Sequence, residues 1–402
     1  MRTMDPKFQW RLWSASSASS AAAATSIVLH PAATDIPDAD WAQLDHGDDP
    51  FVSRAFLGTA EGFGAGGTAM AWQAQHLALY GDGGILGLLP LYRRSHSFGD
   101  FSRDWNWESA WQRAGLDYYP KLVSGIPYTP SPGPRLLVRR DADRDRIAMT
   151  LIEAVLELTR DSGASCWQCL FVEEADRTRL AAAGLLMRRG VQFHWFNRGY
   201  GRFEDFLASF TAEKRKKLKR ERRAVAESGL RLEVRHGDEI DAGLWQTIHC
   251  HYRDTFARYG NHPAFPLEFF IEAGALLARR IVVFLAFRGE MPVASAICYR
   301  DADTLYGRHW GTAIEQPGLH FELCYYQGID YCIRHGLRAF EPGAQGEHKL
   351  ARGFEPVATW SGFWIAHPGM RRAVADFIAR EDVAMQDYEA ETTSRLPFRQ
   401  GN

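Results

Sequence analysis

The chain has 402 residues, of which 46% are hydrophobic, 24% charged and 13% aromatic, the composition of an ordinary globular protein with room for two or three domains. A net charge of −2 excludes a global attraction to nucleic acid or lipid, so any such attraction must be local. No run of 18 or more apolar residues occurs, and no transmembrane segment is expected. Cysteines at 166, 169, 250, 298, 324 and 332 show no disulfide framework, so reduced thiols and a cytoplasmic location are expected.

Residues 1–25 combine basic residues with a Ser/Ala tract and lack a continuous apolar segment. They read as a disordered extension, or as a start codon assigned too early, outside the fold. Next, QHLALY and GILGLLPLY, joined by GDG, form a strand hairpin. Residues 93–146, dense in Trp, Tyr, Pro and Gly, are an extra but ordered connection of the kind that usually carries function. A helical stretch then ends at Gly163 and leads into SCWQCLFV, read as a strand. On a strand Cys166 and Cys169 point to opposite faces and cannot grip one metal ion. RLAAAGLLMRRGVQFHWF closes this half.

The same order then returns. IVVFLAF and PVASAICY are joined by RGEM, a helix ending at Gly336 leads into LRAFEP, and HKLARGFEPVATWSGFWI echoes the earlier closing run. Gly184 and Gly353 are 169 apart, as are Trp195 and Trp364. This indicates a tandem duplication with its boundary near 198–204. Each half is α/β, a mixed sheet with helices packed on it: residues 26–200 with the 93–146 insertion, and residues 201–402.

Opening the second half, TAEKRKKLKRERRAVAESGLRLEV reads as a helix capped by Gly229. From Glu213 to Arg223 eight basic residues face two acidic ones, a local charge of +6 against −8 for everything else. Repulsion costs a few tenths of a kcal/mol per close pair, so an anionic partner would compensate. Lys214, Arg215, Lys217 and Arg220 are its candidate contacts; the alternative is a solvated surface helix.

The stretch EPGAQGEHKLARGFEP, Glu341 to Pro356, concentrates glycines and charge after a short strand. Gly343 and Gly346 let backbone approach a ligand. Lys349 and Arg352 suit a phosphate or carboxylate, and Lys349 also suits a developing oxyanion; Glu347 and His348 are candidate bases. The spacing departs from a P-loop, which needs four residues between its glycines and Ser or Thr after the lysine, so nucleotide hydrolysis is disfavoured. TLYGRHWG ends a strand with Arg308 and His309, and LHFELCYY opens a helix whose first N–H groups form an anion site, with Glu322 in the first turn. Glu322 is a catalytic candidate or a helix cap, and His309 a catalytic candidate or a buried histidine. In the first half Tyr118, Tyr119, Lys121, Tyr128 and Arg135 either line an acceptor groove or pack a core. His249 and His251, two apart on a helix, do not share a face, and no metal site is expected.

With these landmarks in place, the chain resembles the Fem-type branch of the GNAT acyltransferase superfamily, and within it the FemAB-like bacterial proteins of peptidoglycan biosynthesis. The motifs that carry the resemblance are KRKKLKRERRAVAESGLRLEV, LHFELCYYQGIDYCIRHGLRAFEPGAQGEHKLARGFEP and HSFGDFSRDWNWESAWQRAGLDYYPKLVSGIPYTPSPGPRLL. With FLGTAEG and GVQFHWFNRGY they cover nearly all of residues 50–398. The resemblance implies two GNAT-like domains in tandem and N-acyl or aminoacyl transfer to an amine. It implies aminoacyl-tRNA or acyl-CoA as donor, a cell-wall precursor as acceptor and no tightly bound cofactor, with tRNA or a membrane surface as possible contacts. It places the segment 214–223 beside substrate phosphates, and matches a Phe-Lys-x-x-Phe-Gly-like segment to His348, Lys349, Arg352, Gly353 and Phe354. WGTAIEQPGLH lacks the Q/R-x-x-G-x-G/A loop of CoA-using members, which argues against a standard CoA donor. A non-catalytic protein that keeps the fold and binds an anionic partner is the alternative.

Overall fold

Hydrophobic alternation and turn residues lay down sixteen strands in the computed structural model, which describes residues 25–65, 71–343 and 346–399. Residues 1–24 of the expected extension lie outside the described residues. In chain order the strands are β1 (Ser26–His30), β2 (Leu44–Asp45), β3 (Gln73–Ala74), β4 (His76–Gly81), β5 (Gly84–Leu89), β6 (Tyr92–Arg94), β7 (Lys121–Ser124) and β8 (Leu137–Arg139). They continue with β9 (Cys166–Val172), β10 (Leu186–Phe196), β11 (Arg231–His236), β12 (Ile281–Arg288), β13 (Met291–Arg300), β14 (Thr304–Thr312), β15 (Ala339–Glu341) and β16 (Glu355–Ile365). Both hairpins read from the sequence form, as β4–β5 and β12–β13.

The strands make two sheets. One has the order β1-β4-β5-β8-β2; the other runs β11-β12-β13-β14-β15-β10-β16-β9-β7-β6-β3 across both halves of the chain. Two of its pairings are parallel, β7 with β9 and β14 with β15. At its centre the closing strands are exchanged. β10 pairs with β15, and over nine residue pairs with β16, while β16 pairs on its other side with β9. Each half therefore sends its last strand into the sheet of the other. The segment 93–146 is not hung outside: after the helix Trp105–Arg113 it contributes β7 to the large sheet and β8 to the small one.

A hydrophobic cluster also spans the halves. Phe51 lies 5.2 Å from Tyr299, and Phe56 lies 6.0 Å from Phe269, ring centre to ring centre. Burying side chains of this size contributes about 1.5–3 kcal/mol each. Close backbone approach fixes one glycine: a β-carbon at Gly311 would sit 2.0 Å from the His251 carbonyl oxygen, so glycine lets the helix Ala242–Arg258 lie against β14. Cys166 and Cys169 are buried in different clusters, on opposite faces of β9. Among the described residues no helix is long and apolar enough to cross a membrane, and no group of three or more His, Cys, Asp or Glu could hold a metal ion.

Candidate functional site

β14 and β15 stay paired for only three positions, Thr304–Ala339 to Tyr306–Glu341; β14 then runs on to Thr312 while the other chain turns away through Pro342 and Gly343. At this parting the β13–β14 ladder carries a bulge. Cys298 pairs with Gly307 and Ile297 with His309, which leaves Arg308 as the extra residue. A bulge re-aims a side chain. Here Arg308 turns into the interior, over the Phe51 ring at 4.8 Å, and donates from Nη2 to Glu341 Oε1 at 2.8 Å. Both side chains are almost fully buried. The other Glu341 oxygen accepts from Ser131 Oγ at 2.8 Å, and Nε of Arg308 is buried with no hydrogen-bond partner among the described residues.

Lys349 joins this pair. It follows Gly346 in the 3-10 turn Glu347–Arg352, is 1% exposed, and donates from Nζ to the Gly343 carbonyl at 2.5 Å. Burial pushes its pKa down to about 8; the Glu341 carboxylate opposes that shift and Arg308 adds to it. His194 comes from β10 of the other half. Burial lowers its pKa, Glu341 acts the other way, and Lys349 and Arg308 lower it further, so its imidazole is neutral at pH 7. Its Nε2 lies 3.1 Å from the Gln192 amide oxygen, and the Gln192 amide nitrogen donates to Pro130 O at 2.7 Å. This network puts the His194 proton on Nε2 and leaves a lone pair on Nδ1. The site is thus an arginine–glutamate pair, a lysine of lowered pKa and a neutral histidine.

Other residues expected at the site have different surroundings. Arg352 is spent on structure: Nη2 donates to both Glu221 oxygens at 3.1 Å, Nη1 to His348 O at 2.8 Å, and the guanidinium stacks 3.4 Å from the Phe321 ring centre. Glu322 is buried against Arg222 at 3.0 Å and the Gln327 amide at 2.8 Å, so both sides of its carboxylate are engaged in docking helices. The Leu319 N–H at the start of that helix is already bonded to Gln316 O. His309 sits among Tyr252, Phe265 and Phe270, and burial drives its pKa to about 3. It is a core histidine, on the aromatic interior. Glu347 is exposed, bonded to Tyr388 Oη at 3.0 Å and near Arg395 at 3.4 Å. His348 is exposed, with Nε2 2.8 Å from Tyr325 Oη and its pKa lowered by burial, then by Lys349 and Arg352.

The expected acceptor groove of the first half is a buried polar core instead. Lys121 Nζ is ion-paired with Asp100 at 2.9 Å and Asp104 at 2.5 Å, and Tyr118 Oη donates to the same Asp104 oxygen at 2.5 Å. Tyr119, half-buried, bonds Ser97 at 2.9 Å and Glu108 at 3.2 Å. Arg135 is buried and spends its guanidinium on the carbonyls of Leu170, Pro134 and Ser131. Charge taken out of water needs partners of this kind, and these residues have found them inside the protein. Tyr128 packs its ring against Trp72 and Phe265.

The basic segment forms the helix Ala212–Ala226, with Leu218 and Val225 as its buried stripe. Glu221 and Arg222 dock it, through Arg352 and Glu322, onto the wall that carries Lys349. Lys214 and Arg215 are half-buried, the latter reaching Phe210 O at 3.4 Å. Lys216, Lys217, Lys219, Arg220 and Arg223 are exposed, without an ion-pair partner among the described residues.

A cleft of about 390 Å³ opens beside the site, floored by the exchanged strands β10 and β16. Gly346 and Glu347 form part of one wall; Phe101, Arg103 and Phe171 stand on another. Those last three all hold positive φ, at 59°, 53° and 52°, which bulky L-residues adopt only under the constraint of their surroundings. His194, Ser131 and Gln192 were not singled out by the sequence. Gln192 and His194 lie in the run GVQFHWF, which reads as the closing strand of the first half, and Ser131 lies in the 93–146 segment; nothing in either stretch tells that it is delivered beside Glu341.

Mixed sheets with a parallel pair in each half define a tandem GNAT fold, shared with the crystal structure of FemX at a TM-score of 0.51 and 12% identity, over 86% of this chain and 99% of that one. The chain belongs to the FemAB-like family, described as peptidoglycan biosynthesis/recognition, whose match spans residues 32–400. Also similar are the structure of L-PGS from Bacillus licheniformis (TM-score 0.47, 12% identity, 74% of this chain and 88% of that one) and a tandem GNAT protein from the clavulanic acid biosynthesis pathway (0.44, 12%, 86% and 99%). No curated protein matches the chain in sequence.

Proposed function

We propose that this chain is an N-acyltransferase that moves an acyl or aminoacyl group onto an amine of a cell-wall precursor, and that it works in the cytoplasm. The observation that carries the reading is Lys349: a buried ammonium of lowered pKa, held by Gly343 O where β14 and β15 part. In the proposed reaction the amine nitrogen attacks the donor carbonyl, the C–N bond forms, and charge collects on the carbonyl oxygen. Lys349 keeps N–H donors free for that oxygen, an interaction worth about 3 kcal/mol. His194 Nδ1 takes the proton lost by the amine, a role that contributes roughly 10²–10⁴-fold. Collapse of the intermediate breaks the bond to the leaving group, a ribose oxygen of aminoacyl-tRNA or the sulfur of CoA, which takes the proton back from His194 Nδ1. Glu341 and Arg308 hold the pair of functional groups in register, and the cleft along β10 and β16 admits the acceptor.

The test is direct. The purified chain is incubated with a UDP-linked muropeptide and either alanyl-tRNA or acetyl-CoA, and the product is weighed by mass spectrometry. One amide product is expected, with kcat reduced about 10²–10³-fold in Lys349→Met. No product with either donor overturns the reading. A second reading, a non-catalytic binder of tRNA or a nucleotide-linked precursor, is favoured by the exposed cations of the basic helix. It requires salt-dependent binding that Lys349→Met leaves unchanged, without turnover.

A further inference from the structure

At the other end of β14, away from Lys349, a second cavity of about 330 Å³ lies on the seam between the halves. Three arginines line it, Arg279, Arg280 and Arg300, against two aspartates, Asp48 and Asp301. The hydrogen-bond accounting there is one-sided. Asp301 Oδ1 accepts from the N–H groups of Asp303 and Thr304 at 2.7 and 2.5 Å, and its Oδ2 from Tyr306 Oη at 2.6 Å. Asp48 accepts from Arg280 through one carboxylate oxygen and from the Ala302 N–H at 3.1 Å through the other. Even the hydroxyl on the wall is committed: Tyr331 Oη accepts from Arg300 Nη1 at 3.2 Å and lies 3.2 Å from His236 Nε2.

Every carboxylate oxygen here therefore already has a donor, whereas some guanidinium N–H groups have no acceptor among the described residues. Arg300 has no carboxylate partner among the described residues, and its Nη2 is unspent once Nε has bonded Asp301 O at 3.0 Å. Arg280 commits Nη1 and Nη2 to Asp48 and leaves Nε. Arg279 is two-thirds exposed, and among the described residues its ion-pair partner is Glu239 on the rim, at 3.5 Å. Guanidinium groups that converge with free N–H donors suit an oxyanion that accepts several charge-assisted hydrogen bonds at once.

We propose that this seam cavity binds a phosphate group, as the free ion or as the phosphate of a nucleotide, at a site separate from that of Lys349. Its donors come from the second half, and one of them, Arg280, is held by Asp48 of the first, so an occupant clamps the seam. Binding to the native state alone raises stability in proportion to ligand concentration over Kd.

The experiment measures thermal unfolding of the full chain in inorganic phosphate, in uridine 5′-monophosphate, and in sodium chloride at matched ionic strength. A rise in Tm with phosphate over chloride is expected in the native chain and in Lys349→Met. The titrated Kd should weaken at least about tenfold in Arg300→Gln and measurably in Arg279→Gln, whose exposed side chain can be removed without disturbing the core. A larger rise with uridine monophosphate identifies a nucleotide as the source, and an equal or smaller one identifies free phosphate. No rise over chloride, or the same Kd in both arginine variants, overturns the proposal.

Discussion

Lys349 carries an ammonium in a place that penalises it, and the sign of that penalty sets two pH dependences. Its folded pKa of about 8 lies below the ordinary 10.5, so between those values the unfolded chain holds a proton that the folded chain has lost. Stability relative to Lys349→Met therefore rises as pH climbs from about 8 towards 10.5 and is lost again as pH falls through 8. Paired denaturant titrations of the two proteins across that window check it. Activity moves oppositely: as a cationic donor to the oxyanion, Lys349 should make kcat fall above pH 8, and a rate that instead increases there would make it a base. Lys121 poses the contrasting case. Burial works against its charge, yet Asp100 and Asp104 raise its pKa and hold the ion in place. Lys121→Met strands two buried carboxylates and should cost about 3–5 kcal/mol in urea unfolding.

Elements add a second level of cause. The helix Ala212–Ala226 divides its charges between two jobs: Glu221 and Arg222 dock it, whereas Lys216, Lys217, Lys219, Arg220 and Arg223 face solvent. Replacing Lys217 and Arg220 by Gln should leave Tm nearly unchanged, since exposed substitutions usually move stability by less than about 0.5 kcal/mol. The slope of log affinity against log salt for tRNA should fall by about one per phosphate contact removed. Glu221→Gln tests the docking role, because it weakens the buried Arg352 and should lower Tm while leaving that slope intact. Between elements, the loop before the helix Trp105–Arg113 shows a related division. Asp100, Ser102 and Asp104 point inward to Lys121, while Phe101 and Arg103 are turned outward at the cleft and Trp105 is exposed to solvent.

At the scale of the whole molecule the exchanged strands remove any clean cut between the halves. β10 and β16 form the longest ladder in the large sheet, and the cluster of Phe51, Phe56, Phe269 and Tyr299 packs across the same seam. One cooperative unfolding transition is expected by calorimetry and by tryptophan fluorescence. A fragment ending at residue 200 should fail to fold, because its β9 edge would lose β16. Two separate transitions would refute this account. Much of the architecture was legible without coordinates. Both hairpins, the strand at Cys166–Val172 and the basic helix follow from local alternation, turn residues and helix formers, which act within a few residues. The long motifs likewise carried the family. Which strand lies beside which is a different kind of fact, since it depends on pairings more than 140 residues apart in sequence. For that reason Lys349 could be singled out from its own stretch, which begins at Glu341, while His194 and Ser131 of the other half came beside that stretch only through long-range packing. The same long-range packing, not the identity of the side chains, decided that Lys121, Arg135, Glu322 and Arg352 serve the interior.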